Sequence, residues 1–151
     1  MSAPRIVLLG PVLAVLVAAC SNRPDAASTL VRIRTSTGGV AVHALIADTN
    51  AERRRGLAGR RRLARDAGMA FLFSRPVRVA FWMKDTRIPL SIAFWGRRGR
   101  IVAIMDVSPC RSRGCPSYRP AVPYQGALEA NRGFFQAHGV DVGDRVEIAR
   151  G

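Results

Sequence analysis

The chain has 151 residues, with 24 lysine and arginine residues against 10 aspartate and glutamate residues, a formal net charge of +14. This length fits one domain plus a tether, and such a domain buries enough surface to fold without a metal. The sequence contains no internal repeat and no long low-complexity segment, which excludes a repeat architecture.

Residues 1–20 have the pattern of a bacterial lipoprotein signal. Arg5 gives a basic start, an apolar run extends from Ile6 to Ala19, and small residues stand directly before Cys20. The run is shorter than the ~20 residues that cross a bilayer as a helix. We therefore predict an exported protein whose acylated Cys20 anchors it to the membrane on the extracytoplasmic side. An ordinary signal peptide or an uncleaved anchor is the alternative.

The sequence predicts three segments. Residues 1–20 form the signal, residues 21–29 form a flexible tether that is small, polar and interrupted by Pro24, and residues 30–151 form a single β-rich domain.

The domain is predicted to begin with a hairpin. Leu30–Thr35 alternates apolar and mostly basic residues, as a half-exposed strand does. Thr37–Gly39 is a turn, and Val40–Ala47 resumes the strand pattern.

A capping box then predicts a short helix. Thr49 takes the N-cap position and Glu52 stands three residues later. The helix is expected to run to about Leu57 and to stop near Gly59. Residues 60–68 are predicted to form a loop with a helical turn.

Extended segments follow. Gly68–Phe73 is a continuous apolar run suited to a buried strand, and Val77–Met83 extends again after a proline. Leu90–Trp95 and Ile101–Val107 are predicted to form a second hairpin around a turn at residues 96–99.

The last third is predicted as a loop, a helix and a strand. Pro109–Pro123 is rich in proline and arginine, Ala127–Ala137 looks helical with Gly139 after its end, and Arg145–Ala149 is extended. Because strands outnumber helices, we predict a mainly β (α+β) fold: a small β-barrel or sandwich-like domain with two or three short helices.

Cysteine usage agrees with export. Besides Cys20, the chain has Cys110 and Cys115, and in an oxidising compartment this spacing favours a structural disulfide. Redox-active pairs usually have C-x-x-C spacing. A zinc site would need two more ligands, and His43 and His138 are distant in sequence. We predict no metal and no cofactor.

The densest basic cluster extends from Arg53 to Arg65 and would suit anionic lipid or an acidic envelope polymer. A bias toward arginine codons and a solvated surface account for most of the other arginines. We predict no nucleic-acid partner, because of the export signal and because no RNA-binding or helix-turn-helix signature is present. The oligomeric state is not indicated.

The segment Phe81–Phe94, FWMKDTRIPLSIAF, resembles the signature F-W-M-K-N-T-x-I-P-L-D-I-x-F of the uncharacterised proteins grouped as domain of unknown function 192 (DUF192). Further similarities follow in order at Glu52–Arg60, Gly68–Phe73, Pro109–Tyr118, Leu128–Gly133 and Gly143–Val146. The resemblance covers roughly residues 30–150. It implies a compact, mostly β domain, often exported, with no established activity.

Three residues depart from the family pattern. Asp85 replaces the usual Asn, Ser91 the usual Asp, and Ala58 the usual Met. If positions 85 and 91 form a polar site in the family, that site is altered in this chain.

The family-like segments also contain the residues that we expect to line one shallow polar ligand site: Trp82, Lys84, Asp85, Thr86, Tyr118 and Glu129. Lys84 would contact an anionic group, and Trp82 or Tyr118 would stack on the ligand. Glu129, placed in the first turn of the predicted last helix, would orient Lys84 or accept a hydrogen bond. Bracing of loops is the alternative role for each.

The predicted function is a binding or structural module at the cell envelope. The sequence has no G-x-S-x-G, H-E-x-x-H, P-loop or Rossmann glycine pattern, so it gives no indication of a specific enzymatic reaction. The alternative is a small envelope hydrolase that uses Asp85 and Glu129 as a carboxylate pair.

Overall fold

The computed structural model describes residues 28–112 and 114–149, so the predicted signal, Cys20 and nearly all of the tether lie outside the described residues. The elements in chain order are β1 (Thr29–Thr35), β2 (Gly38–Ala47), α1 (Asn50–Arg55), β3 (Ala67–Val77), β4 (Phe81–Trp82), β5 (Leu90–Trp95), a 3₁₀ turn (Arg97–Gly99), β6 (Ile101–Val107), β7 (Ser117–Tyr118), β8 (Tyr124–Asn131), α2 (Phe134–Ala137) and β9 (Arg145–Ile148).

Seven strands form one curled sheet in the order β6-β5-β8-β3-β2-β1-β9, and β4 pairs with β7 as a separate two-stranded ribbon. The pairings are antiparallel except between β2 and β3, which α1 connects. The two edges of the sheet meet at one end: the Ile101 amide donates to the Asp144 carbonyl at 2.8 Å, and the Gly143 amide donates to the Ile101 carbonyl at 2.9 Å. The sheet is therefore a half-barrel, which confirms the predicted mainly β fold with two short helices.

The inner face of the half-barrel is filled by apolar side chains from both edges and the centre. Ile101 of β6 and Val146 of β9 belong to the same buried cluster as Leu128 in the middle of the sheet. Helix α2 adds Phe134 and Phe135, which are 6% and 1% exposed. The interior is thus occupied by protein, and a ligand site must lie elsewhere.

The outer face carries a second core beneath α1 and residues 77–90. Alternation along β5 sends Leu90, Ile92 and Phe94 to this face, while Ala93 and Trp95 point inward. An outer core of this kind requires a cover, and the connecting segments supply it.

Both predicted hairpins are confirmed, since β1 pairs with β2 and β5 with β6, each antiparallel. The capping box is also confirmed: the Thr49 hydroxyl accepts from the Glu52 amide at 3.2 Å, and the Glu52 carboxylate accepts from the Thr49 amide at 3.0 Å. The hydrogen bond with the Thr49 side chain, followed by that with its backbone, lowers the pKa of Glu52.

The predicted helix Ala127–Ala137 is wrong over most of its length. Residues Tyr124–Asn131 form β8, and only Phe134–Ala137 is helical. Because β8 lies in the centre of the sheet and is buried on both faces, it lacks the alternation that marks a half-exposed strand. Its Ala, Leu and Glu residues are intrinsic helix formers, and tertiary packing overrides that preference.

The predicted strand Val77–Met83 is shorter than expected. β3 extends to Val77 through a break in its register with β8, and β4 contains only Phe81–Trp82. Residues 78–80 between them are exposed loop, which forms one wall of the site described next.

Candidate functional site

An open pocket of about 520 Å³ lies on the outer face of the sheet. Its lining comes from α1, the end of β3, the segment from Val77 to Thr86, and one residue of β8. The pocket thus lies where three connections cover the outer core.

Aromatic side chains form part of the walls. Phe71, Phe73 and Phe81 all line the pocket, and the rings of Phe71 and Phe81 meet edge to face at 4.9 Å between centroids. Tyr124 lies behind them and donates from its hydroxyl to the Val79 carbonyl at 2.7 Å, which fixes the loop that completes the wall. The walls therefore offer apolar surface held by a rigid aromatic cluster.

Glu129 lies in the interior part of the pocket. On the two strands that flank β8, Glu129 is opposite Met69 of β3 and Ile92 of β5, both members of the outer core. Glu129 itself is 6% exposed. Within the described part of the chain its carboxyl group makes no hydrogen bond and no ion pair. Burial raises the pKa of Glu129 to about 8, so the group is mostly protonated at pH 7.

Thr86 is the second buried polar residue of the pocket, at 6% exposed. It follows a turn in which its amide donates to the Met83 carbonyl at 3.1 Å. Asp85 occupies that turn with φ of 61°, a conformation that Asp and Asn tolerate better than other side chains. The family preference for Asn at position 85 therefore has a backbone explanation.

Cations surround the opening. Arg53 is committed to structure, because its guanidinium donates to the Leu72 carbonyl at 2.7 Å and lies 5.0 Å from the Phe73 ring centroid. Three further arginines and one lysine line the pocket, are exposed, and have no carboxylate within ion-pair distance among the described residues: Arg54, Arg55, Arg75 and Lys84. Their charge is available to an anionic ligand.

Trp82 and Lys84 stand together at this opening. Trp82 is 62% exposed, and the Lys84 Nζ lies 5.9 Å from its ring centroid, within cation–π range. Met83, which lies between them in sequence, is 1% exposed. Trp82 and Met83 therefore face opposite sides, as expected for neighbouring residues of an extended segment. The exposed indole is a flat surface on which a ligand can stack.

The predicted disulfide between Cys110 and Cys115 is present. Residues Lys84 and Cys110 form an isolated parallel bridge, and the Cys110 amide donates to the Met83 carbonyl at 3.3 Å. The closed loop therefore supports the backbone that carries Lys84.

Four of the six predicted site residues come together, and two do not. Trp82, Lys84, Thr86 and Glu129 line the pocket. Tyr118 instead pairs with Phe81 in the two-stranded ribbon and does not line the pocket. Asp85 is exposed and does not line the pocket either. The expected placement of Glu129 in a helix is wrong, and no ion pair joins it to Lys84.

Ser91 lies on the opposite face of the sheet. Alternation along β5 places it with Ala93 and Trp95 on the inner side, and the residue is 1% exposed. Its hydroxyl accepts from the Gly133 amide at 2.8 Å and donates to Asp106 at 2.5 Å. Positions 85 and 91 therefore do not share a site in this chain.

Several residues that line the pocket are not among the site residues predicted from the sequence. Arg54 and Arg55 belong to the basic cluster that the sequence predicts to contact anionic lipid or an acidic polymer, and no pattern predicts a site role for Arg75 or Phe73. The capping box gives the start of α1, but the packing of that helix over β3, which brings Arg54 and Arg55 to the pocket, has no local sequence signal.

The model of the family DUF192, described as an uncharacterised ACR, matches residues 32–148. The chain belongs to this family. No curated protein gives a significant match.

The solved structures that are similar to this DUF192 chain include the following two. One is a protein of unknown function from Novosphingobium aromaticivorans DSM 12444, with a TM-score of 0.73 and 33% identity over 78% of this chain and 83% of that one. The other is a candidate transcription regulator from Sinorhizobium meliloti 1021, with a TM-score of 0.73 and 33% identity over 82% of this chain and 95% of that one. They share its fold.

Proposed function

We propose that this DUF192 protein is a non-catalytic binding module, exported and lipid-anchored at the cell envelope, whose outer-face pocket holds a small amphipathic anion. One observation carries the proposal: a pocket with aromatic side chains in its walls opens between cations that have no carboxylate partner among residues 28–112 and 114–149. Pockets that hold small ligands combine apolar walls with a few convergent polar groups in this way.

Each part of the pocket matches one part of such a ligand. The rings of Phe71, Phe73 and Phe81 would take an apolar body, and the exposed indole of Trp82 would stack on it. Lys84 would bind the anionic group, because its ammonium has no acidic partner among the described residues.

The alternative of a carboxylate-pair hydrolase has less support. Asp85 is exposed and does not line the pocket that contains Glu129. A glycosidase needs its two carboxyl groups to flank one bond of the substrate. A binding role requires no such pair.

The proposed location rests on the sequence of residues 1–20. Among the described residues, no helix is long and apolar enough to cross a membrane. We propose that acylated Cys20 attaches the protein and that the arginines of the cluster Arg53–Arg65 that lie outside this pocket, Arg60, Arg61, Arg62 and Arg65, contact anionic lipid or an acidic envelope polymer. Although the S. meliloti relative is described as a candidate transcription regulator, the export signal favours an envelope partner over nucleic acid for this chain.

Fluorescence of Trp82 tests the binding proposal. The chain has two tryptophans, and Trp95 is 6% exposed, so the variants Trp82→Phe and Trp95→Phe separate the two signals. We would titrate the full chain in phosphatidylcholine nanodiscs with phenylbutanoate and with its neutral analogue phenylbutanamide. The expected result is saturable quenching by phenylbutanoate in wild type and in Trp95→Phe, and no change in Trp82→Phe.

Lys84→Met is the matched charge variant, since it keeps the apolar stem and removes the ammonium. We expect phenylbutanoate to bind this variant several-fold more weakly and phenylbutanamide to bind it as it binds wild type. Failure of both compounds to bind wild type at millimolar concentration, or equal binding of phenylbutanoate to wild type and Lys84→Met, would refute the proposed anion site.

A further inference from the structure

We propose that the ligand of this pocket is a zwitterion of the ω-amino acid type, whose ammonium end enters the pocket and binds Glu129 while its anionic end stays between the rim cations. This inference rests on the proposed function and specifies its ligand class.

The first step of the argument is the position of Glu129. Glu129 is 6% exposed as a residue and lines the pocket, and its carboxyl group has no hydrogen-bond or ion-pair partner within residues 28–112 and 114–149. Buried polar groups in proteins are almost always hydrogen-bonded, and carboxyl groups are rarely buried unpaired. A carboxyl group that faces a cavity without a protein partner is therefore available to a ligand.

The second step is the distribution of charge. The other ionisable side chains that line the pocket are all basic and come from every element around it: Arg53, Arg54 and Arg55 of α1, Arg75 of β3, and Lys84 after β4. Four of them are exposed, where solvent screens their charge, while Glu129 lies in the less polar interior. The pocket thus offers an acid inside and cations outside.

The third step is the surface between these two ends. Besides Glu129 and the basic residues, the pocket is lined by aromatic and aliphatic side chains, among them Phe71, Phe81 and Leu57. A methylene chain fits this surface, and charge-assisted hydrogen bonds at both ends fix its direction. The carboxylate of a simple fatty acid would pair with the rim cations, but its apolar end would leave Glu129 without a partner.

Proton release distinguishes this ligand class from others. At pH 7 Glu129 is mostly protonated, because burial raises its pKa to about 8. An ammonium group stabilises the carboxylate form, so binding expels the proton to buffer. Above about pH 8 the carboxylate is already ionised, and the release disappears. A ligand hydroxyl or carboxyl group bound to neutral Glu129 releases no proton.

The experiment is calorimetric titration of the full chain in phosphatidylcholine nanodiscs, with empty nanodiscs as the blank. The probes are ω-amino carboxylates from aminobutanoate to aminooctanoate, each compared with the alkanoate and the alkylamine of the same length. Measurement in two buffers of different ionisation enthalpy gives the number of protons released. We expect the best ω-amino carboxylate to bind at least about tenfold more tightly than its alkanoate, with nearly one proton released at pH 7.

Glu129→Gln is the matched variant, because an amide reproduces the shape and neutrality of the protonated carboxyl group. It should bind the alkanoate as wild type does, lose the preference for the amino compound, and release no proton. Alkanoate binding without any preference for the amine, or binding of the amino compound without proton release, overturns this inference and leaves the anion site standing. Absence of binding by every probe overturns both proposals.

Discussion

Ser91 and Asp106 face each other across β5 and β6 and are joined by a hydrogen bond of 2.5 Å between the serine hydroxyl and the carboxylate. The same hydroxyl accepts from the Gly133 amide at the start of α2, and Asp106 lies 3.5 Å from Arg132. Where the family signature usually has an aspartate, this chain therefore has a serine backed by a carboxylate on the neighbouring strand. The pair fixes the turn that connects β8 to α2.

Ser91→Ala should lower the free energy of unfolding by about 1–3 kcal/mol, because the Gly133 amide loses its partner and the Asp106 carboxylate keeps only its contact with Arg132. Urea denaturation of the full chain measures this loss. The exposed Ser117 provides the control, and Ser117→Ala should change stability by less than about 0.5 kcal/mol. Equal effects of the two substitutions would show that the Ser91 network contributes nothing.

Glu129→Gln should stabilise the protein at alkaline pH. Burial raises the pKa of Glu129 to about 8 in the folded state from the ordinary value of 4.5, so the folded protein holds a proton that the unfolded chain releases. This contribution to stability is complete below about pH 4.5 and is lost as pH rises toward 8. At pH 9 the buried carboxylate then destabilises the wild type by an amount on the order of several kcal/mol, which the amide avoids.

Thermal melts from pH 4 to pH 9 check this expectation, with Glu147→Gln as the half-exposed control. The difference in Tm between Glu129→Gln and wild type should be small at pH 4 and should grow through the neutral range. A difference that does not depend on pH would mean that the pKa of Glu129 is the same in the folded and the unfolded chain.

Gly126→Ala should destabilise the sheet. A Cβ atom at this position would lie 2.2 Å from the ring of Trp95, the residue opposite it on β5. The indole is buried and part of the inner core, so it must shift, at a cost of about 1–3 kcal/mol. Gly114→Ala should leave the stability unchanged, because a Cβ atom added there would meet no described atom within 4 Å apart from its neighbours in the chain. Unchanged denaturation and near-ultraviolet circular dichroism of Gly126→Ala would contradict this account of the packing.

Cys20→Ala should abolish attachment of the fatty acid. Metabolic labelling with a radioactive fatty acid in a bacterial host is expected to mark the wild type and to miss the variant, because the thiol of Cys20 is the proposed attachment point for the fatty acid. The double variant Cys110→Ser with Cys115→Ser controls for acylation elsewhere and should label normally. Equal labelling of wild type and Cys20→Ala would exclude the proposed anchor.

The hairpins could be predicted because their strands are exposed on one side or bounded by clear turns. Thr37–Gly39 and residues 96–99 mark the two reversals, and the strands on either side pair as expected. β8 could not be predicted in this way, since burial on both faces removes the periodic signal. The order of strands in the sheet depends on contacts between residues far apart in sequence, which local patterns do not encode.

The candidate site was predictable only along one continuous segment. Trp82, Lys84 and Thr86 are neighbours in sequence, and the family resemblance at Phe81–Phe94 draws attention to them. Glu129 was singled out, but its burial depends on its position in β8, which the helical assignment concealed. The arginines of α1 enter the site through the packing of that helix over β3, a tertiary relationship.

The ribbon of β4 and β7, which carries part of the pocket wall, can open separately from the seven-stranded sheet. It contains two residue pairs, Phe81 with Tyr118 and Trp82 with Ser117, and it does not join the seven-stranded sheet. A pair of strands this short is marginal by itself. Amide exchange should therefore be faster at Trp82 than in β8, reporting brief opening events that leave the half-barrel folded. Reduction of the Cys110–Cys115 bond would speed that opening further, so the oxidation state of this loop sets how long the stacking surface stays in place.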